Sequence, residues 1–208
     1  MELWGVRMTV KGYFIQYKFI IPEHIKHSSY NYQKLFRALY GYTQAVDKSN
    51  GKRYKYHRKG VLSEIPCIRP RKNCVIIPPE YFQKLIDFFK TGRNPSHAWK
   101  GKGDWKAVYY MNEKVLDEKD IIYAFERLFE KNFSFQGRVE PDTLYNVFKK
   151  FNSSDFSISA NEKVFLPHII QKVKEISNLE WFKEVYKKSE KLNKFYSNYK
   201  KVKDFVGE

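Results

Sequence analysis

Cysteine is nearly missing from this chain: Cys67 and Cys74 are the only two in 208 residues. Neither stands in a CxxC pair or near a histidine at ligand spacing, so a structural zinc site is not encoded, and two reduced thiols are expected. Long apolar runs are absent too, and a membrane-spanning helix needs about 20 such residues. The first ten residues carry Glu2 and Arg7 without an apolar stretch, which does not suit a secretory leader. A cytoplasmic protein without a membrane partner is therefore expected. The sequence contains no GxxxxGK[ST], GxGxxG, GxSxG or HExxH, which disfavours nucleotide hydrolysis by a P-loop, Rossmann redox chemistry and zinc proteolysis. No RNP-type aromatic motif or GXXG loop stands out.

Acid is scarce in one half only. Residues 1–112 hold 21 Lys and Arg against 7 Asp and Glu, a balance of +14; residues 113–208 supply +2 of the total of +16. Grouped cations gain affinity for polyanions by releasing condensed counterions. The chain thus divides near Asn112 into a basic α+β region, 1–112, and a mostly helical region, 113–208. The basic half is expected to meet nucleic acid, DNA or RNA.

Aromatics are plentiful, with 16 Tyr, 17 Phe and 4 Trp, enough for a packed core. Period-two alternation over Val6 to Ile21 predicts antiparallel strand structure, with Gly12 as a bulge or turn. Ser28 or Ser29 predicts the cap of a helix running to about Ala45, and Asn50-Gly51 predicts a hairpin across Ala45 to Gly60. Asn73 to Ile77 reads as a short buried strand. Pro78-Pro79 opens a helix over Glu80 to Lys90 that Gly92 closes. Strand character returns over Asp104 to Met111. In the second half the pattern predicts helices over Asp117 to Lys131 and Glu140 to Phe151, the latter opened by Pro141. A hairpin is expected about Ala160-Asn161, then a helix from Pro167 and a long terminal helix from Leu179 to Phe205. The order resembles a winged-helix unit, and the terminal helix either packs along the body or forms a homodimer seam.

The strongest functional signal is the return strand of the hairpin. It places Arg53, Lys55, His57 and Lys59 on one face and Lys52, Tyr54, Tyr56 and Arg58 on the other, offering cations to phosphates and rings to bases. The competing reading is a charged edge strand that resists edge-to-edge pairing. A second cluster is Arg69, Arg71 and Lys72 about Pro70. A third is a Gly/Lys-rich loop with Arg93, His97, Trp99, Lys100 and Lys102, in which Trp99 can form a stacking platform while Trp105 belongs to the core.

Catalysis is the alternative. His57 beside Tyr56 can act as a metal-free general acid or base on RNA. Asp104-Trp105-Lys106 has the acid-x-Lys spacing of restriction-type nucleases, with Glu80 or Asp87 as the second acid, and would bring Mg²⁺ as cofactor. Otherwise no cofactor and no protein-bound metal are expected. A third class is a structural or assembly protein of a mobile element. His168 beside Pro167 suits a structural place at a helix start.

Overall fold

A computed structural model describes residues 10–49, 51–92, 105–136, 138–151 and 160–206. The molecule is α+β, with antiparallel strands and two helices in the first half and mostly helices in the second, as expected. Among the described residues no helix is long and apolar enough to cross a membrane.

Strand β1 (Lys11–Ile20) is the spine of the first sheet. It pairs antiparallel with β4 (Cys74–Ile77) on one side and β5 (Lys106–Val115) on the other. Its alternation sends Ile15, Tyr17 and Phe19 into a core shared with α1 (Tyr30–Tyr40) and α2 (Phe82–Thr91). Trp105 is buried there, its ring edge-on to Phe19 at 5.4 Å between centroids. Strand β4 is buried at all four positions because both sheet faces are covered there.

Ser29 caps α1, its hydroxyl accepting the Tyr32 N–H at 3.3 Å. The helix stops at Tyr40 rather than near Ala45. Gly41 adopts φ 75°, and a Cβ there would meet the Arg58 carbonyl oxygen at 2.8 Å. The reversed chain becomes β2 (Tyr42–Asp47), which forms the expected hairpin with β3 (Arg53–Arg58) around Gly51 at φ 73°. After Pro78, a 3₁₀ turn over Pro79–Tyr81 leads into α2, which Gly92 ends in the left-handed region.

In the second half α3 (Glu118–Phe129) begins where Asp117 accepts the Lys119 N–H at 2.8 Å. The helix expected from Glu140 starts only at Leu144. Residues 138–143 instead form β7 (Arg138–Thr143), paired with β6 (Asn132–Phe135) and touching β3 through Tyr56 and Arg138. Thr143, not Pro141, starts α4 (Leu144–Lys150), its hydroxyl accepting the Asn146 N–H. The hairpin therefore precedes this helix, whereas a wing would follow it.

Ala160 and Asn161 belong to helix α5 (Ala160–Ser177), so no turn lies there, and Pro167 sits inside that helix. Residue 168 is accordingly mid-helix, with the His168 ring against Phe135. The long terminal helix is broken into α6 (Glu180–Val185), a 3₁₀ turn and α7 (Glu190–Val206). Ser189 restarts the chain by accepting the Leu192 N–H at 3.2 Å. The apolar stripe of α7 lies along the body, with Phe195 stacked on Phe129 at 4.0 Å.

Trp181 joins the two halves. It is fully buried, and its indole N–H donates to the Lys11 carbonyl at 2.7 Å. Gly12 is neither bulge nor turn but the seat of that ring: a Cβ there would stand 2.6 Å from Trp181 Cζ2 and 2.9 Å from Leu116. Overpacking of this kind typically costs about 1–3 kcal/mol. Gly12→Ala should lower the urea midpoint correspondingly, and an unchanged midpoint would show that the indole can move aside.

Candidate nucleic-acid interface

Antiparallel pairing of β2 and β3 sets Thr43 opposite His57 and Ala45 opposite Lys55. On that face a cleft of about 490 Å³ opens between β3, residues 62–69, α3 and the β6–β7 hairpin. Lys55, His57, Arg69, Arg127, Lys131 and Lys172 all line it. Arg127 and Lys131 reach it together because residues four apart share one side of a helix and its exit.

Glu64 is the one acid among the described lining residues, and two lysines hold it. Lys172 Nζ stands 2.6 Å and Lys59 Nζ 2.8 Å from the same carboxylate oxygen. Burial alone would raise the Glu64 carboxyl, but Lys172 and then Lys59 overcome this and keep it below its ordinary value. Burial pushes Lys172 down, against the pull of Glu64. No carboxylate partner is found for Lys55, Arg127 or Lys131 among the described residues. The cleft is therefore a concave cationic surface with low-dielectric walls, a shape that concentrates anions.

His57 is lowered chiefly by burial; Glu64 opposes this, while Lys59, Lys131 and Lys172 add to it. Its Nδ1 lies 3.2 Å from the Thr43 hydroxyl, which leaves Nε2 for a ligand. The Arg69 guanidinium lies 3.9 Å from the centre of the Tyr40 ring, and the Tyr40 and Tyr17 hydroxyls share a 2.6 Å hydrogen bond. Burial raises Tyr40, so it stands as a neutral phenol. Burial also raises Cys67, which lines the cleft as a thiol rather than a thiolate.

The sequence-derived residues divide between several surfaces. Lys55, His57 and Arg69 share the cleft, and Lys59 reaches its rim through Glu64. Tyr56 is on the opposite face of β3 from His57, and Tyr40 is the phenol beside the cleft instead. Tyr54 lies under Lys48 and Arg138, and exposed Arg53 faces Asp47 at 3.6 Å. Lys52 and Arg58 are exposed on the hairpin, and Lys72 on its turn. Arg71 is elsewhere, donating to Cys74 Sγ and to Gln16 Oε1. Arg93, His97, Trp99, Lys100, Lys102 and Asp104 lie outside the described residues. Lys106 begins β5 and is exposed; Glu80 accepts the Glu180 N–H at 2.9 Å, and Asp87 accepts from Gln83. Among the described residues no three His, Cys, Asp or Glu side chains gather as a metal site.

Arg127, Lys131 and Tyr40 were not singled out by the sequence. The first two stand in a half of nearly balanced charge, and only their i, i+4 spacing hints at a shared side. Comparison of the chain with protein-family models, with curated proteins and with solved structures finds no match.

His57 and His168 are lowered from 6.5 and Glu64 from 4.5. In each case the unfolded chain takes up its proton at a higher pH than the fold does, so stability falls on acidification. The loss should begin below pH 6.5 for the histidines and extend below 4.5 for Glu64. Urea midpoints between pH 7 and 3 should show both windows, and His57→Gln with His168→Gln should flatten the first. A midpoint that rises between pH 6.5 and 5 would contradict the assignment.

Proposed function

We propose that the protein binds nucleic acid, with backbone phosphates entering the cleft between β3 and α3. The observation that supports this most is the convergence of Lys55, Arg69, Arg127 and Lys131 on one concavity where the one acid among the described lining residues is already held by two lysines. Arginine forks suit phosphate oxygens bidentately, while the lysines supply point charge. Lys52 and Arg58 on the exposed hairpin extend the positive surface beyond the cleft. Contacts of this kind fix position and affinity without reading sequence.

A second reading is metal-free cleavage of RNA. It is favoured by His57, a lowered imidazole with Nδ1 beside Thr43 and Nε2 left for substrate. A base of that kind beside fixed cations can take the 2′-hydroxyl proton while the cations stabilise the phosphorane charge. RNA cleavage that survives EDTA and is lost in His57→Ala selects this reading; binding without cleavage selects the first.

The binding reading makes a quantitative demand. Replacing Lys55, Arg127 and Lys131 by Ala should weaken oligonucleotide binding, measured by anisotropy. It should flatten the slope of log K against log salt by about 0.7–0.9 for each phosphate that is no longer neutralised. Lys183, Lys194 and Lys201 are exposed on the terminal helices, so replacing those three removes equal charge from elsewhere. If both triple variants lose affinity alike, net charge rather than the cleft governs binding, and the proposal fails.

A further inference from the structure

Among the described residues, nothing packs over one end of the outer face of the β4–β1–β5 sheet. At the other end Gly12 and Phe14 lie beneath Trp181 and the helical half. Beyond them the alternation carries Gln16, Lys18 and Ile20 outward, opposite Tyr110, Val108 and Lys106 of β5. Tyr110 is 63% exposed, Val108 50% and Ile20 46%. Gln16, Lys18 and Lys106 are exposed as well. Arg71 reaches across from the turn before β4 and donates to Gln16 Oε1 at 3.0 Å. The carboxylate of β5, Glu113, is opposite Tyr13 and so belongs to the other face, where it meets Lys11. A tyrosine and two branched aliphatic side chains thus stand among three cations on an open sheet.

We propose that this face is a platform for single-stranded nucleic acid. An unpaired base stacks on the Tyr110 ring. Val108 and Ile20 receive the apolar parts of the neighbouring nucleotide, and Lys18, Lys106 and Arg71 meet the phosphates. The inference rests on the reading that the protein binds nucleic acid, but it uses none of the cleft residues and adds what the cleft cannot supply, a preference for unpaired bases. Duplexes hide their base faces, whereas every unpaired base offers one to an exposed ring. Charge decides the occupant. Exposed apolar patches also serve protein contacts, but a second copy would bring the same Lys18, Lys106 and Arg71 against their counterparts, in a chain of net charge +16. Like-charge juxtaposition of that kind opposes association.

The test uses the full chain with a fluorescent oligothymidylate, an oligouridylate and a duplex of the same length. Tyr110→Ala should weaken single-strand binding by roughly 5- to 150-fold, the loss typical of one base–aromatic stack. Duplex affinity should change less than twofold, and Tyr110→Trp should restore single-strand binding. Tyr110 is exposed, so the substitution leaves folding intact, which the urea midpoint verifies. Equal loss for single strand and duplex, or no loss for either while the wild type binds, would overturn the platform and leave the cleft reading standing. A drop in molar mass of Tyr110→Ala relative to wild type would show instead that the face joins two copies. Absence of any oligonucleotide binding by the wild type would remove both readings together.

Discussion

Trp181 against Gly12 is the contact on which the arrangement depends. An indole occupies the space where residue 12 would otherwise carry a side chain, and its N–H is satisfied by the backbone of the same strand. Strand β1 thereby becomes common to both cores: Ile15, Tyr17 and Phe19 serve one, while Phe14 packs against the other. Ile76 of the neighbouring strand is also in the second core, and Tyr81 packs against both. With the sheet fixed to the helices, residues far apart in sequence acquire a defined separation. Arg69 and Arg127 can then face one cleft.

Glu64 and Lys172 supply a second tie, between the segment before β4 and α5. Two lysines on one half-buried carboxylate leave local charge positive even where an acid is present. A pair of this kind is a modest source of stability, because desolvation offsets much of the attraction. Its structural consequence is greater: it links α5, whose apolar residues are in the second core, to the segment lining the cleft, and its two charges act on His57 in opposite senses.

Much of the fold was legible. Ser29, Gly51, Pro78-Pro79 and Gly92 act through local backbone chemistry, and they mark element boundaries in the structure where the sequence pattern put them. Failures arose where tertiary pairing overrode a local signal. Pro141 looked like a helix start, yet β6 draws its segment into a strand. Gly41 ends α1 by turning to φ 75°, at a point where the returning backbone at Arg58 leaves no room for a Cβ, and that approach joins segments the local pattern treats separately. The site was half legible for the same reason. Lys55, His57 and Arg69 belong to a visibly basic stretch, whereas Arg127 and Lys131 are ordinary helix-surface residues until the sheet brings them opposite β3. Tyr110 and Lys18 read as routine strand residues because exposure of one end of a sheet face is decided by where the helical half stops.

The central claim is that one cationic cleft, built from both halves of the chain, receives the phosphates. The most direct measurement is an amide NMR titration of the labelled protein with a short duplex oligonucleotide, which does not offer unpaired bases to the Tyr110 face, at low salt. Perturbations should concentrate at residues 55–57, 67–69 and 127–134, with signals from α7 little changed. Shifts confined to the hairpin tip or spread evenly over the basic surface, with residues 127–134 unmoved, would contradict the account.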